Sequence, residues 1–387
     1  MEICKLQQCT GCFACKAICP KNAIKVATDQ YGSTFPQIDT EKCVKCNLCK
    51  KVCPNQIEKK FTYPETCFAA WSLNKADRES CASGGIATGL GRYIIEQGGV
   101  VFGASFLKEK ELELVFSKAE NMEELEKFKT SKYVQADTSN VYEKVKQELL
   151  QDRQVLFIGT PCQVAGVQGY LQKPYEKLLT VDIICHGVNP MQYLRQHAKT
   201  VCKTKQVSYP TFRGAKDYAM RFFNKKHELI YEKDAYEDYY FRAFLCSMMC
   251  RENCYVCPYA RTERISDLTI GDFWGLDKQT LKESYNGKVS VILQNTEKGE
   301  NLLSVCAEVL YMEERTVEEA LKENEQLRKT ASKYKDREIF LTHYPQLGFD
   351  GAMKKTCLKR EIMQLKYKKT KWNIKRCLKR IIGRQDR

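Results

Sequence analysis

A repeated group of cysteines near the N-terminus limits what this chain can fold into more than any other feature. The spacing C-x2-C-x2-C-x3-C-P occupies residues 9–20 and returns at residues 43–54. In this pattern three closely spaced thiolates wrap one face of an iron–sulfur cubane, and the fourth, just before the proline, ligates the other cluster. The repeat therefore predicts two [4Fe–4S] clusters.

The two predicted ligand sets cross between the repeats. The first set is Cys9, Cys12, Cys15 and Cys53. The second set is Cys43, Cys46, Cys49 and Cys19. A zinc site pairs two short CxxC arms across a longer gap, and neither that form nor a disulfide scaffold matches the repeated triplets. We therefore expect residues 1–57 to form a ferredoxin-like module with two clusters.

The composition favours an intracellular protein of more than one domain. The chain has 387 residues and 21 cysteines, enough for two or three domains. Thiols that remain available for metal fit a reducing cytoplasm. The N-terminus lacks a basic segment followed by an apolar one, and no run of about 18 apolar residues occurs. We therefore expect a cytoplasmic protein with neither a signal peptide nor a transmembrane helix.

The positive charge is concentrated in the C-terminal tail. The whole chain carries a net charge of +15, and residues 354–387 contain 14 Lys or Arg against two acids. Apolar residues recur there at i, i+3, i+4 and i+7, which indicates an amphipathic helix; they are Ile374, Cys377, Leu378 and Ile381. We therefore expect residues 351–387 to form a basic amphipathic tail.

Three roles for this tail remain open. It could lie on an anionic membrane, which would place the protein peripherally at the inner membrane face, or dock an acidic partner. It could equally be a solvated terminal helix. Nucleic acid is disfavoured, because the tail holds only two aromatic residues, Tyr367 and Trp372, and the body has no known binding motif.

The body opens with a strand at residues 66–71 and a glycine turn that leads into a helix. Ser83, Gly84 and Gly85 precede helical residues 86–97, and residues 100–106 have the apolar sequence of a buried strand. Such a turn presents backbone N–H groups to an anion. It is also a common helix cap, so by itself it leaves phosphate binding undecided.

Two further cysteines follow predicted strands. Strand 154–158 leads to Thr160, an N-cap, and Pro161, the first helical residue. Cys162 then lies in the first turn, where the helix dipole favours a thiolate that could be a nucleophile, a metal ligand or merely a capped cysteine. Strand 178–184 ends at Cys185, and open α/β sheets bind ligands at this edge.

The residue after Cys185 is a histidine. His186 could be a metal ligand or a proton donor, but a hydrogen bond to the protein is the simpler expectation.

A third cluster-type loop lies near residue 255. Cys254-x2-Cys257-Pro258 supplies two thiols, and a site of four needs two more. Cys162 and Cys185 are the best-placed candidates, with Cys246 and Cys250 as local competitors. We predict a third [4Fe–4S] cluster, with zinc as the main alternative.

The segments around this loop complete the body. Residues 212–214 are predicted as a turn and residues 239–249 as a helix; later come a strand at 289–294 and helices at 297–310 and 317–328. Cys306 has apolar neighbours and is predicted to be a core residue.

Several motifs together resemble a known family. They are Gly159-Thr160-Pro161-Cys162-Gln163, Ser131-Lys132-Tyr133, Ser83-Gly84-Gly85, Cys185-His186-Gly187, Cys254-x2-Cys257 and Gly271-Asp272-Phe273-Trp274-Gly275. On these motifs the chain, from Met1 to about Asp350, resembles the beta subunits of coenzyme F420 hydrogenases and dehydrogenases. It is most similar to the bacterial type with a fused N-terminal ferredoxin domain.

The resemblance implies an α+β or α/β protein in which residues 66–350 form a mixed α/β domain holding a flavin, normally FAD, beside a [4Fe–4S] cluster. The implied cluster ligands are Cys162, Cys185, Cys254 and Cys257. The implied flavin contacts are Ser83, Gly84, Gly85, Lys132 and Thr160, followed by Gly271 and Asp272. The catalytic residues stay unassigned.

The resemblance further implies an oxidoreductase that passes electrons between clusters and a flavin, which exchanges hydride with a deazaflavin such as F420 or with another carrier. The physiological partner is expected to be a redox protein or a hydride carrier. A Rossmann NAD domain is not supported, because no G-x-G-x-x-G follows a strand. The alternatives are an electron-transfer subunit without its own substrate and a redox enzyme of surface-polysaccharide synthesis.

Overall fold

The computed structural model describes residues 2–107, 109, 111–203, 205–214, 217–365 and 367. A helix long and apolar enough to cross a bilayer is not found among these residues. Every cysteine in this part of the chain is a free thiol.

The N-terminal domain is built from two copies of one local structure. Strands β1 (Ile24–Thr28) and β2 (Thr34–Ile38) form an antiparallel hairpin, with one-turn helices α1 (Ala14–Ala17) before it and α2 (Leu48–Lys51) after it. Each helix follows a residue in the left-handed region, Phe13 (φ 56°) or Asn47 (φ 61°). A residue in this region turns the chain sharply. The third cysteine of each motif is consequently buried in the short helix that follows.

The body is organised by an eight-stranded mixed sheet. Its strands are β3 (Thr66–Ser72), β4 (Val100–Phe106), β5 (Leu114–Ala119), β6 (Val155–Gly159), β7 (Leu178–Ile183), β11 (Leu268–Asp272), β12 (Ser290–Gln294) and β13 (Leu310–Arg315). They lie in the order β13-β3-β12-β11-β7-β6-β4-β5. The four strands β11, β7, β6 and β4 run parallel, whereas the flanking pairs are antiparallel. Neighbouring residues of β4, such as Val101 and Phe102, enter separate hydrophobic cores, so the sheet is covered on both faces.

Helices cover the sheet, and a separate, smaller antiparallel sheet shares its hydrophobic core. The small sheet contains β8 (Tyr209–Arg213), β9 (Tyr218–Phe223) and β10 (Leu229–Asp234). The helices are α3 (Lys75–Ser80), α4 (Ile86–Glu96), α5 (Met122–Glu126), α6 (Tyr142–Leu150), α7 (Pro161–Leu171), α8 (Met191–Cys202), α9 (Tyr239–Leu245), α10 (Glu297–Val305), α11 (Val317–Glu323) and α12 (Arg337–Met353).

The predicted start of α7 is confirmed. Pro161 is the first helical residue, and Thr160 is the N-cap. The Gln163 Oε1 atom accepts hydrogen bonds from the Thr160 backbone N–H at 2.8 Å and from Thr160 Oγ1 at 3.0 Å. These bonds satisfy groups that a helix terminus leaves unpaired. Cys162 is therefore held in the first turn, as the sequence predicts.

Several segments differ from the sequence-based expectation. The helices predicted over residues 239–249 and 317–328 end at Leu245 and Glu323. The predicted turn at residues 212–214 is wrong, because Phe212 is fully buried and both Phe212 and Arg213 belong to β8. The helix predicted over residues 297–310 ends at Val305, and Leu310 begins β13. This strand buries only two of its six residues, so its sequence lacks the alternation that would reveal it. Cys306 is fully buried, as predicted.

The C-terminal boundary falls inside packed structure. The expected division after residue 350 lies within α12, and the hydrophobic core continues through Ala352, Met353, Leu358 and Ile362. The amphipathic residues Ile374, Cys377, Leu378 and Ile381 lie outside the described residues.

A buried histidine joins three helices of the body. His197 of α8 is 1% exposed; its Nε2 lies 2.9 Å from Asp238 Oδ2 at the start of α9, and its Nδ1 lies 2.9 Å from Asp350 Oδ1 in α12. Tyr231 donates a further hydrogen bond to Asp238. Burial opposes the imidazolium charge, but the two carboxylates raise the pKa of His197 to about 9.

The stability of the protein should consequently depend on pH through His197. Because its folded-state pKa is raised from 6.5, its contribution is fully present below about pH 6.5 and is lost as the pH rises through about 9. We expect His197→Gln to lower the free energy of unfolding by about 3 kcal/mol at pH 6 and far less at pH 10. Anaerobic unfolding at both pH values measures this, with His343→Gln as control. An equal loss at the two pH values would contradict the ion-pair account.

Candidate metal and cofactor site

The first predicted ligand set surrounds a small internal cavity. Cys9, Cys12, Cys15 and Cys53 all line it. The backbone N–H groups of Gly11 and Ala14 act to lower the pKa of the Cys9 and Cys12 thiols, which is the effect of a donor that stabilises a thiolate. Burial raises the pKa of Cys12 to about 12, so a bare thiolate is unfavourable here and a bound cation is what would stabilise it.

A fifth thiol lines the same cavity. Cys4 lies near Cys53 and Cys9, and these two thiols raise its pKa. Its position lies outside the motif spacing, so the sequence pattern gives no reason to single it out.

The second predicted ligand set surrounds a separate cavity nearer the surface. Cys19, Cys43, Cys46 and Cys49 line it. The Ala23 backbone N–H donates to Cys19 Sγ at 3.3 Å. Cys46 is exposed, and the neighbouring Val44 is 58% exposed. The crossed assignment derived from the repeat therefore corresponds to two cavities, each lined by four of the predicted cysteines.

The third predicted set comes together from three separate segments. Cys162 lies in the first turn of α7, Cys185 follows β7, and Cys254 and Cys257 lie in and just after a 3-10 turn at Glu252–Val256. Burial raises the pKa of Cys185, and the nearby thiols of Cys254, Cys162 and Cys257 raise it further. Burial also raises the pKa of each of the other three to about 11. The four thiols thus share one buried region.

The two competing cysteines have fewer of these thiols around them, although Cys250 packs against Gly187, close to Cys185. Cys250 is buried beside Cys254 and Tyr255, and of the four thiols only Cys254 contributes to the raised pKa of Cys250, which is due mainly to burial. Cys246 is surrounded by Arg242, Glu361 and Cys357. The arrangement therefore favours Cys162 and Cys185 as the partners of the Cys254 loop.

None of these sets is a single-ion site in its present geometry. Among the residues that the structure describes, no group of three His, Cys, Asp or Glu side chains could hold one metal ion. A cubane binds its thiolates at separate iron atoms, whereas zinc requires its ligands within about 2.0–2.3 Å of one point.

A larger cavity lies beside the third set, at the carboxyl edge of the parallel strands. Its volume is about 370 Å³, within the range of about 300–1,000 Å³ that is usual for small-molecule sites. The ends of β6, β7 and β11 line it, together with the first turns of α4 and α7. Ligands bind at this edge of open α/β sheets, and helix N-termini favour phosphate groups.

Six of the seven predicted flavin contacts line this cavity. They are Ser83, Gly85, Lys132, Thr160, Gly271 and Asp272. Gly84 does not line it: its N–H donates to Ser290 Oγ at 2.9 Å, and a Cβ there would lie 2.6 Å from the Ala70 carbonyl oxygen. The absence of a side chain at Gly84 is thus explained by packing against β3 and β12.

The Lys132 side chain donates hydrogen bonds to backbone carbonyl groups beside the cavity. Its Nζ donates to the carbonyl oxygens of Phe128 and Lys129 at 2.7 Å and of Thr130 at 3.2 Å. Burial lowers its pKa to about 7. Because these three acceptors use its donors, Lys132 holds the 128–132 loop in shape against the cavity.

A buried ion pair also lines the cavity. Arg213 donates to both oxygens of Asp272, at 2.6 and 3.1 Å, and to the Tyr218 hydroxyl at 2.9 Å. Burial opposes its charge, but Asp272 raises the pKa of Arg213. Asp272 therefore already has a partner in this structure. Only the tertiary fold brings β8 to β11, so no local pattern reveals this contact.

Two further side chains lie close to this ion pair. Lys288 donates to the carbonyl oxygens of Gly214 at 2.6 Å and Ala82 at 3.2 Å, and burial together with Arg213 lowers its pKa to about 8. His186 lines the cavity and an adjoining surface pocket. It makes no hydrogen bond with a described residue, so the bond expected for it from the sequence is not found there.

The N-terminal domain packs directly on helix α7. The Cys12 carbonyl accepts hydrogen bonds from Thr138 Oγ1 at 2.6 Å and from the Tyr142 hydroxyl. A Cβ on Gly166 would lie 3.1 Å from Cys12 Cβ, and one on Gly169 would lie 2.5 Å from the Val52 carbonyl oxygen. The two glycines permit this close approach, and the first turn of the same helix carries Cys162.

Two regions of the chain match known families. Residues 8–57 match the model of the 4Fe-4S dicluster domain. Residues 152–320 match the model of coenzyme F420 hydrogenase/dehydrogenase, specifically the C terminus of its beta subunit. The family resemblance inferred from the motifs is confirmed by these two matches. A search of curated proteins finds no match.

A similar chain is found in a solved structure of a hydrogenase complex. The structure is that of the xenon-derivatized F420-reducing [NiFe] hydrogenase complex from Methanosarcina barkeri, with 17% identity and a TM-score of 0.47 over 66% of this chain and 85% of that chain. A similarity this low supports no conclusion about function.

The third ligand set can be tested against its buried neighbour. We expect Cys254→Ser to reduce the iron content from about 12 to about 8 atoms per chain, because one cubane loses a thiolate. Cys250→Ser, four residues away, should retain the wild-type content. Iron and acid-labile sulfide measured after anaerobic purification decide this. Equal losses in the two variants would contradict the assignment.

Proposed function

Because the chain joins a 4Fe-4S dicluster domain to a region of the coenzyme F420 hydrogenase/dehydrogenase beta-subunit family, we propose that it is an iron–sulfur flavoprotein oxidoreductase. In this proposal three [4Fe–4S] clusters exchange electrons with a flavin, FAD. The flavin exchanges hydride with a deazaflavin of the F420 type or with another hydride carrier. The coarser description, an iron–sulfur electron-transfer protein of that family, rests on the two matched regions alone.

The large cavity and the third cysteine set are built on the same two loops, and this observation carries the proposal. Thr160 lines the cavity, and its Oγ1 lies 3.2 Å from Cys162 Sγ. His186 lines the cavity directly after Cys185. A flavin in this cavity would therefore lie beside a cluster held by these cysteines.

The three cysteine sets form a continuous series toward the cavity. Cys15 and Cys49, from the two N-terminal sets, belong to one buried cluster. Cys12 of the first set contacts α7 at Gly166, one turn after Cys162. Such a series supports transfer of single electrons from the exposed Cys46 region inward to the cavity.

The residues of the cavity suit a phosphate-bearing ring system. The first turn of α4 offers unpaired backbone N–H groups for a diphosphate. Apolar side chains such as Ile158, Ile183 and Ile270 line the remainder and exclude water. When bound, a flavin accepts a hydride, which is two electrons with one proton, and the clusters carry these electrons singly.

The arrangement favours an enzyme over an electron-transfer subunit without its own substrate. A subunit of that kind needs no ligand cavity. This chain has a cavity of about 370 Å³, which adjoins a second opening at His186. We propose that a redox partner protein docks at the surface near Val44 and Cys46, where the second set approaches solvent. A role in surface-polysaccharide synthesis is compatible with this chemistry, because it changes only the final substrate.

The flavin site can be tested by filling the cavity. Ala104 lies in β4 and lines the cavity wall. We expect Ala104→Phe to weaken flavin binding more than tenfold, or by at least about 1.4 kcal/mol, because the ring occupies ligand volume. Iron should stay unchanged at about 12 atoms per chain, because no cysteine is altered. Ala307→Phe, at an exposed position, is the matched control and should bind flavin normally.

The same proteins provide the functional readout. Reduced deazaflavin, NADH and NADPH are each mixed with the holoprotein, and bleaching of the cluster absorbance is followed. Wild type and Ala307→Phe should bleach with at least one carrier, and Ala104→Phe should not. If the wild-type protein contains no flavin, or if Ala104→Phe bleaches as fast as wild type, the proposed site is wrong.

The basic tail supports a second docking role, on an anionic membrane or an acidic partner, through charge alone. We expect deletion of residues 368–387, which spares the packed Leu358 and Ile362, to abolish sedimentation with phosphatidylserine vesicles at low salt. High salt should release the full chain, because exposed charges are screened. Salt-insensitive binding, or none by the full chain, would count against the membrane role.

A further inference from the structure

One buried arginine lacks the carboxylate partner that such residues normally have. Arg251 is 4% exposed, and it donates only to neutral acceptors. They are Asn253 Oδ1 at 3.2 Å, Gln135 Oε1 at 2.7 Å, the Cys9 carbonyl at 3.2 Å and the Thr34 carbonyl at 2.9 Å. Within the described residues it forms no salt bridge.

Other buried arginines of this protein are paired. Arg213 pairs with Asp272, Arg264 with Asp182 and Arg337 with Glu252. A buried charge without a counterion is costly, because it has lost its hydration. The position of Arg251 therefore requires a negative charge that the protein's own carboxylates do not supply.

Arg251 lies between the first and third cysteine sets. Its guanidinium contacts the Cys9 loop, and its carbonyl accepts the backbone N–H of Cys254 at 3.0 Å. Gln135, which accepts from Arg251, also donates to the Thr10 carbonyl at 3.3 Å. Burial raises the pKa of Cys162 and Cys254, and the charge of Arg251 acts in the opposite direction on both.

We infer that Arg251 is a positioning residue shared by two clusters, one held by Cys9, Cys12, Cys15 and Cys53 and the other by Cys162, Cys185, Cys254 and Cys257. Its hydrogen bonds fix the Cys9 loop against the Cys254 loop, and its charge stabilises the reduced form of both clusters. This inference rests on the proposed function, because it requires both clusters to be present.

The charge of a cubane explains the effect of a nearby cation. A [4Fe–4S] cluster with four thiolates is anionic, and reduction adds one electron without a proton, so the negative charge grows by one. A fixed cation nearby favours the reduced form more than the oxidised one. Net charge and hydrogen bonds around the sulfurs are recognised determinants of cluster potential. Arg251 should therefore raise both potentials.

Two variants separate charge from hydrogen bonding. Arg251→Gln removes the charge but keeps an amide donor, whereas Arg251→Lys keeps the charge with different geometry. In anaerobic redox titrations of the holoproteins, followed by electron paramagnetic resonance, Arg251→Gln should lower two of the three cluster potentials. We expect at least a tenfold change in each one-electron equilibrium, or about 59 mV. Arg251→Lys should remain close to wild type.

Two controls, one within the same protein and one in a separate variant, make the result specific. Arg251 contacts the Cys9 loop and Cys254, and among the described residues no hydrogen bond or ion pair joins it to the second set, which is Cys19, Cys43, Cys46 and Cys49. The potential of that cluster should therefore shift least. Arg153→Gln removes a charge that is paired with Glu148 and Glu120. Arg153 precedes β6, at the edge of the sheet opposite the cysteines, and its loss should shift no potential.

The outcomes separate this inference from the proposed function. Unchanged potentials in Arg251→Gln, an equal shift of all three clusters, or identical behaviour of the Gln and Lys variants would overturn the role of Arg251. If Arg251→Gln fails to assemble, Arg251→Lys must still assemble with near-wild-type potentials, and its failure would overturn the role of the charge. Wild-type protein with fewer than three clusters would instead contradict the proposed function.

Discussion

Burial of cysteine thiols in the interior is the constraint on which this structure depends. The first and third cysteine sets lie in the interior, whereas the second approaches the surface, and burial raises the pKa of Cys12 and Cys185. A protein does not gain from burying so many ionisable sulfurs unless something neutralises their charge. In the proposed function bound iron would do so, and the backbone N–H groups near the sulfurs would complete the shell. The short helices after Phe13 and Asn47, and the first turn of α7, lie where they deliver cysteines to these shells.

The same constraint explains how the two domains meet. Helix α7 carries Cys162 in its first turn, and its glycines one and two turns later accept the N-terminal domain at Cys12 and Val52. One rigid element thus sets the separation between the first and third sets. Its N-terminus also opens into the large cavity, so the distance from cluster to flavin would be set by the same helix. Arg251 ties the two cysteine loops from the other side, where it supplies a positive charge between them.

The parts of this arrangement that follow from local patterns could be predicted from the sequence. The repeated spacing pointed to two crossed cysteine sets, and Thr160 and Pro161 marked the start of α7 because capping is a local property. Strand β4 was found at its observed limits because it is a continuous apolar run. Contacts between distant segments were not predictable in this way. Arg213 and Asp272 meet only once β8 lies beside β11, β13 lacks a clear alternation, and Gly84 serves packing where its motif suggests a ligand contact.

The iron, sulfide and flavin content per chain is the most direct measure of whether these buried thiols hold clusters beside a flavin. Iron, acid-labile sulfide and released flavin, measured together on protein purified without oxygen, test this in a single experiment. We predict about 12 iron and 12 sulfide atoms with one flavin per chain. About eight iron atoms with no flavin would contradict the prediction, because the cysteines around Cys162 and the adjoining cavity would then serve neither metal nor cofactor.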